Sequence, residues 1–103
     1  MRVEIDAAGF ALSTTAKRAI RRHAYFELSR FADRLSRITI RLSEEVTPPV
    51  DLDKACRVVV DWPVLGRIEA ATRHSDPVRA ACDGVSRVRQ RLACRLKIAN
   101  QRR

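Results

Sequence analysis

The spacing of apolar residues along the chain predicts one strand, one helix, three further strands and a second helix. Residues 2–7 alternate between charged and apolar side chains, which is typical of a half-buried strand. From residue 14 to residue 35 the apolar side chains recur at steps of three and four, so we predict an amphipathic helix capped by Ser13 or Thr14. Its predicted inward positions are Ala16, Ile20, Ala24, Leu28, Phe31 and Leu35.

The middle of the chain returns to a two-residue period. Residues 37–43 alternate again and predict a second strand. Residues 44–53 are acidic and contain two adjacent prolines, which favours an exposed loop. Residues 55–62 and 67–74 alternate on either side of the short turn 63–66, so they are predicted to form an antiparallel hairpin. The predicted inward positions are Ile38, Ile40, Leu42, Cys56, Val58, Val60, Trp62, Ile68, Ala70 and Thr72.

The second predicted helix begins with an aspartate cap, Asp76, and a proline at the favoured first position. Its inward stripe is Val78, Ala81, Cys82, Val85, Val88, Leu92 and Leu96. A helix separates the first two strands, so a right-handed crossover should make them parallel. Both apolar stripes must cover the hydrophobic face of one sheet. We therefore expect one α+β domain over residues 1–103, a β-α-β-β-β-α two-layer sandwich with two helices packed on one face of a four-stranded sheet.

Positive charge is concentrated in two segments. The chain carries a net charge of +9, yet residues 14–34 and 79–103 together hold 14 basic and 3 acidic residues, whereas the remainder holds 7 basic and 9 acidic residues. The excess of positive charge therefore lies in the two helical segments. This distribution points to a polyanion or an anionic surface as the partner.

Helical spacing places the basic residues opposite the apolar stripes. If both helices lie on one side of the sheet, their outer faces should form one continuous basic surface. Arginine binds phosphate through a planar, bidentate fork, so nucleic acid is the leading partner. Without a helix-turn-helix signature, RNA is favoured over DNA. The outer residues are Lys17, Arg18, Arg21, Arg22 and Tyr25 on the first helix, and Arg79, Arg87, Arg91 and Arg95 on the second.

For three ring-containing residues we compared a packing role with a functional role. Tyr25 either stacks on a base or packs at the rim of the basic surface. Trp62 is expected to be a core anchor or a residue at the rim of the strand end rather than a base-stacking platform, since it shares a face with three apolar residues. His23 borders the apolar stripe and is expected to pack there. The outward sheet positions Arg37, Thr39, Arg41, Arg57, Val59 and Asp61 have no assigned partner.

The sequence offers no catalytic constellation, so we expect no enzyme activity, cofactor, metal or small-molecule substrate. His74 is expected to make a local hydrogen bond beside the Asp76 cap, and there is no glycine-rich phosphate loop. The three cysteines are odd in number and widely spaced, which favours reduced thiols in a cytoplasmic protein. No apolar run approaches the length of a membrane span, and the N-terminus shows no signal-peptide pattern.

Several short stretches resemble one known family. Residues 12–16 and the basic run 17–22 resemble the threonine-containing start of its first helix, and residues 66–71 resemble its glycine turn into a strand of small residues. The second helix matches at Asp76, Ala80, Ala81, Arg87, Gln90, Arg91 and Leu92. On these residues the chain resembles the ribosome hibernation promoting factor family, also called ribosome-associated inhibitor A or ribosomal subunit interface protein.

The chain departs from the family pattern at three positions of the second helix. Val78 stands where the family usually has an aromatic residue, and Cys82 where it usually has aspartate or asparagine. Gly84 is expected to interrupt the helix at a cost of about 1 kcal/mol.

The resemblance implies that the protein binds the small ribosomal subunit at the decoding region, where it overlaps transfer and messenger RNA and holds idle ribosomes inactive under stress. The chain ends just after the second helix, so we expect the short class, without the C-terminal domain by which long members pair ribosomes, and a monomer off the ribosome. The implied ribosomal RNA contacts are Lys17, Arg18, Arg21 and Arg22 on the first helix, and Arg79, Arg87, Gln90, Arg91 and Arg95 on the second.

The alternative is a general basic RNA-binding or protein-interaction module without ribosome specificity, acting as a transcription modulator. A protein interface normally carries aromatic and apolar anchors, and the outer helix faces carry almost only charge. A membrane-surface role is disfavoured because both apolar stripes are needed for the core.

Overall fold

Four strands and two long helices follow one another in the predicted order β-α-β-β-β-α. The computed structural model of the protein describes residues 1–47 and 51–101, with side chains for residues 1–44 and 53–98. The elements are β1 (Arg2–Ala8), α1 (Thr14–Leu28), the 3₁₀ turn η1 (Ser29–Phe31), β2 (Arg37–Thr47), β3 (Asp51–Trp62), β4 (Gly66–His74) and α2 (Pro77–Gln101).

The strands form one mixed sheet in the order β1-β2-β3-β4. β1 is parallel to β2, as predicted for a crossover through α1, and β2, β3 and β4 are successively antiparallel. The register places Ile40 opposite Ile5 on one side and opposite Val58 on the other. The predicted parallel crossover and the predicted hairpin are therefore both confirmed.

The β2–β3 ribbon is longer than predicted. Residues 44–47 pair with residues 51–54, so the prediction of a loop over 44–53 is wrong for both arms. Glu44 lies opposite Lys54, and its Oε1 is 3.4 Å from Lys54 Nζ. Opposite charges facing each other across an antiparallel pair stabilise it, which offsets the poor strand propensity of acidic residues. Residues 48–50, which include both prolines, lie outside the described residues.

The first helix is shorter than predicted. It ends at Leu28 instead of Leu35, and the chain tightens there into η1. The hydroxyl of Ser29 donates to the carbonyl oxygen of Phe26 at 3.1 Å, a local bond that competes with continuation of the helix. The tighter turn still buries Phe31 and Leu35, as predicted, and the Phe31 ring lies 5.9 Å from the Trp62 ring.

The core lies between the sheet and the helices, and most of its members were predicted from the two periodicities. Ala16, Thr72 and Val78 are only partly buried, as are Cys82 and Leu96. The remaining predicted inward side chains are buried, and Val3 and Ala80 join them. The two apolar helix stripes thus pack on the same face of the sheet, which confirms the α+β two-layer sandwich.

Gly84 does not interrupt the second helix, contrary to the prediction. α2 runs without a break from Pro77 to Gln101. A Cβ atom at Gly84 would lie 2.7 Å from Val58 Cγ2 and 3.4 Å from Thr72 Oγ1. The same Thr72 hydroxyl donates to the carbonyl oxygen of Ala80 at 2.6 Å. The glycine is therefore needed because α2 lies very close to β3 and β4.

Candidate nucleic-acid interface

Both basic helices begin at side-chain caps. Ser13 Oγ accepts a hydrogen bond from the backbone N–H of Ala16 at 3.1 Å, and Asp76 Oδ1 accepts one from Val78 at 2.9 Å. The N–H of Asp76 donates to His74 Nδ1 at 3.0 Å, so the local hydrogen bond predicted for His74 is confirmed. Each cap fixes where its helix begins and hence which side chains face outward.

The basic residues predicted on the first helix are exposed. Lys17, Arg18, Arg21 and Arg22 form what we call the α1 face, and their side chains make no hydrogen bond or ion pair with another described residue. Four like charges within two helical turns repel one another. An anion bound at the α1 face would relieve this repulsion, and no internal contact would have to break.

The seam between the helices carries an acidic residue. Glu27 of α1 lies 2.8 Å from Nε of Arg89 of α2 and 3.9 Å from Nε2 of His23. His23 is partly buried, as predicted, and its Nε2 has no hydrogen-bond partner among the described residues. Since Arg89 faces α1, arginines elsewhere around α2 must face other parts of the molecule.

Three of the predicted α2 residues reach the free edge of the sheet. In the described part of the chain β4 pairs with β3 on one side only, so its carbonyl groups on the other side have no strand partner, and Leu65 lies in the turn just before β4. Nη1 of Arg87 donates to Ala71 O at 3.3 Å, Nη1 of Arg91 donates to Glu69 O, and Nη1 of Arg95 donates to Leu65 O at 3.1 Å. We call these three arginines the β4-edge ladder.

The position of the β4-edge ladder differs from the one predicted from the sequence. Its arginines were predicted to join the first helix in one continuous basic surface, but they lie on the flank of α2 next to β4, whereas Arg89 faces α1. The prediction of a single surface is therefore wrong for these three residues. Each guanidinium has five donors, so one bond to a carbonyl leaves the exposed remainder available to phosphate. The predicted residues Arg79 and Gln90 are also exposed.

The exposed aromatic residues are on α1. Tyr25 is 44% exposed, and its neighbour Phe26, which the sequence reasoning did not single out, is 78% exposed. Its exposure could have been predicted from its position in the sequence. Phe26 lies off the apolar stripe of the helix and is four residues from both Arg22 and Arg30, so it shares their side of the helix. Trp62 is 4% exposed and packs in the core, so its predicted role as a core anchor is confirmed.

The cysteines are free thiols in three different environments. Cys56 is buried, and burial raises the pKa of its thiol to about 12. Burial also raises the pKa of the half-buried Cys82, with a smaller contribution from Asp83. Cys94 is exposed. Among the residues that the structure describes, no group of three or more histidine, cysteine or acidic side chains is arranged to hold a metal ion.

No described helix combines the length and the apolar composition needed to cross a membrane.

The fold is shared with solved structures of other proteins. A ribosomal subunit interface protein from Coxiella burnetii superposes with a TM-score of 0.66 at 20% sequence identity, covering 90% of this chain and 94% of that one. The Protein Y N-terminal domain of Thermus thermophilus gives 0.56 at 15% identity, covering 88% and 94%. No family model and no curated protein matches the sequence. The resemblance drawn from the sequence is thus confirmed at the level of the fold.

Proposed function

We propose that the protein binds the small ribosomal subunit at its decoding region, with its basic helices against ribosomal RNA. Bound there, it would exclude transfer RNA and messenger RNA and so hold idle ribosomes inactive in the cytoplasm. One observation carries the proposal. The chain shares its fold, over 90% of its length, with a ribosomal subunit interface protein, and its first helix presents four exposed cations that have no partner among the described residues.

Binding through the α1 face requires no rearrangement of the protein. Lys17, Arg18, Arg21 and Arg22 already point into solvent, so each can replace a counterion of an RNA phosphate. The released counterions supply favourable entropy, and this makes the affinity fall steeply as salt rises. The α1 face therefore supplies the sequence-independent part of the binding energy.

The second helix contributes arginines that are already oriented. Arg87, Arg91 and Arg95 each donate a hydrogen bond to a backbone carbonyl at the β4 edge or in the turn before it, and these bonds restrain three long side chains. An ordered side chain loses less conformational entropy when it binds phosphate. Arg79 and Gln90 add donors on the exposed part of α2, where Gln90 can bond to a ribose or a base edge.

Inhibition in this proposal comes from occupancy and needs no chemical step. A protein that occupies the decoding region competes with transfer RNA by mass action, and no cofactor or catalytic residue is needed. The protein should leave the ribosome when salt or competing RNA displaces it. Reversible exclusion of this kind is suited to a factor that stores ribosomes rather than destroying them.

Sedimentation with separated ribosomal subunits tests the proposal. Purified protein is mixed with small or large subunits across a salt series, with and without transfer RNA. We expect saturable binding to the small subunit that transfer RNA blocks. A variant with Lys17, Arg18, Arg21 and Arg22 changed to glutamine should lose this binding. A charge-matched control should keep it; it changes four ion-paired arginines of the sheet to glutamine, Arg2, Arg37, Arg57 and Arg67.

Indiscriminate, salt-sensitive binding to both subunits and to unrelated RNA would contradict the proposal. The protein would then be the general RNA-binding module that the sequence left as the alternative. The α1 face would remain an RNA contact, and the fold would carry no ribosome specificity.

A further inference from the structure

The ring of Phe26 on α1 is not used by the packing of the protein. Its side chain is 78% exposed, whereas Phe31 is a core residue and Phe10 packs against the core. The Phe26 ring makes no aromatic or cation contact with another described residue. An aromatic ring stabilises a fold through the area that it buries, so the fold gains little from this one. Both faces of the ring are therefore open to a ligand.

Helical spacing places Phe26 between two cations. Arg22 precedes it by four residues, a relation in which the Cβ atoms of a helix are about 5–6 Å apart. Arg30 follows it by four residues, and its guanidinium carbon lies 5.6 Å from the centroid of the Phe31 ring. Neither arginine forms an ion pair with another described residue. Both can therefore bind an anion that lies next to the Phe26 ring.

Acidic side chains do not cancel this charge. Residues 14–31 contain five basic residues and one acidic residue, Glu27. Glu27 lies at the helix seam, 2.8 Å from Nε of Arg89, and is 20% exposed. The next acidic residue, Asp33, comes after η1 and forms no ion pair with another described residue. The outer side of α1 around Phe26 is therefore positively charged.

A second exposed ring lies on the other side of Arg22. Arg22 is three residues before Tyr25 and four residues before Phe26, so both rings lie one helical turn along from it. Tyr25 is 44% exposed, and its hydroxyl forms no hydrogen bond with another described residue. Cations interleaved with exposed rings are typical of surfaces that bind single-stranded nucleic acid, where the cations follow the backbone and the bases stack on the rings.

The surroundings of Phe26 favour a base over an anchor for a protein partner. Ala19 and Ser29, the nearest outward positions besides the arginines, are small and exposed. Anchors in protein interfaces cluster with other apolar side chains that exclude water, and Tyr25 is the one other large apolar side chain exposed on α1. A base needs only one open ring face, because every base has a π face of its own.

We infer that Phe26 stacks on an unpaired RNA base, while Arg22 and Arg30 bind phosphates on either side of that base. The inference rests on the proposed function in that the partner is RNA. It adds that the outer side of α1 distinguishes single-stranded or bulged RNA from a duplex, whose bases stack on one another and offer no open face. Phosphate contacts alone do not read the base.

Binding of labelled oligouridine to the full chain tests the inference, beside an abasic ribose-phosphate strand of the same length and charge. Both strands are titrated with the wild type and with Phe26→Leu, which keeps an apolar side chain but has no π face. On oligouridine the variant should bind at least about fivefold more weakly, the factor that corresponds to about 1 kcal/mol for stacking on one base. On the abasic strand the two proteins should bind equally.

Three further variants separate stacking from charge. Arg22→Gln should lower the salt slope of the affinity by about 0.7, the value of one phosphate contact to a single strand, whereas Phe26→Leu removes no charge and should leave the slope unchanged. Phe26→Trp keeps a π face and should keep the affinity for oligouridine. The matched control is Val64→Ala, which removes exposed apolar surface from the 63–66 turn and should bind both strands like the wild type.

Two results would overturn the inference. Equal binding of oligouridine by the wild type and Phe26→Leu would show that the ring does not contact a base. An equal loss on both strands would show that the ring acts without a base. If RNA binding is unchanged and the wild type self-associates in sedimentation velocity while Phe26→Leu does not, a second copy of the chain is the partner of the ring.

The proposed function has a separate measurement. If the wild-type chain fails to bind small subunits but Phe26→Leu still weakens binding to oligouridine alone, the ribosome proposal fails and the stacking role stands. If the wild type binds small subunits and transfer RNA blocks this binding, while Phe26→Leu matches the wild type on both strands, the ribosome proposal stands and the stacking role fails.

Discussion

Glu27 of α1 lies 2.8 Å from Nε of Arg89 of α2, and this ion pair joins the two helices at their seam. The two side chains are 20% and 49% exposed, so water screens the attraction. A double-mutant cycle of Glu27→Gln and Arg89→Gln, followed by urea unfolding, should give a coupling free energy below about 1 kcal/mol. A coupling of several kcal/mol would mean that the seam excludes water.

Gly84→Ala should destabilise the protein although alanine favours helices. The gain in helix propensity is at most about 1 kcal/mol, whereas the added Cβ would lie 2.7 Å from Val58 Cγ2 and force α2 away from the sheet. Overpacking of this kind costs about 1–3 kcal/mol, so we expect a net loss. Ser86→Ala, two residues on in the same helix, is the control and should be neutral or slightly stabilising. A higher melting temperature for Gly84→Ala would show that the helix can move outward freely.

Val85→Asp should unfold the protein. Val85 has no solvent exposure, and burying a carboxylate there without a partner costs several kcal/mol, a large part of the stability of a small protein. Val64→Asp, at a turn position that is 85% exposed, should melt at the wild-type temperature. Circular dichroism melting curves distinguish the two. Cooperative, native-like melting of Val85→Asp would contradict the packing of α2 described above.

Replacing Arg87 and Arg91 with alanine should have two effects. Loss of the two phosphate contacts should lower the salt slope of small-subunit binding by about 2. Loss of the bonds to Ala71 O and Glu69 O should also speed hydrogen exchange along β4, since its edge is then less protected. The lysine double variant keeps the charge and should largely keep the salt slope. Unchanged binding by a folded alanine variant would remove the β4-edge ladder from the RNA interface.

The thiols should differ sharply in reactivity. In the folded protein, iodoacetamide at mildly alkaline pH should alkylate the exposed Cys94 and leave the buried Cys56 unmodified until urea unfolds the chain. Peptide mass mapping identifies which cysteine is alkylated before and after unfolding. Rapid alkylation of Cys56 in the native state would indicate that β3 opens locally.

The raised pKa of Cys56 also predicts the sign of a pH effect. The thiol titrates near 9.0 when unperturbed and about 12 when folded, so the folded state holds its proton more tightly than the unfolded state. The stability that the protonated thiol contributes is complete below pH 9 and is lost as the pH rises towards 12. Cys56→Ala should therefore flatten the fall in the free energy of unfolding over this range.

Much of the fold follows from short-range patterns. The two-residue period over 55–62 and 67–74 and the helical period after Asp76 correctly predicted the hairpin, the second helix and most of their buried faces. These features depend on backbone geometry and side-chain direction within a few residues, which a single sequence displays. The start of α1 was predicted for the same reason, because Ser13 caps its own helix.

Features that depend on distant parts of the chain could not be derived in this way. The partners of Arg87 and Arg91 are carbonyl groups of β4 that are available only because β4 is an edge strand among the described residues, and the partner of Arg95 lies in the turn before it. Gly84 is required because a Cβ atom there would clash with Val58, a residue of another element. Residue 44 pairs with residue 54 because β2 and β3 are held in one register along their whole length. Local sequence patterns therefore specified which residues carry charge and most of those that are buried. Packing between elements determined which charged side chains bond to another part of the protein and which remain exposed.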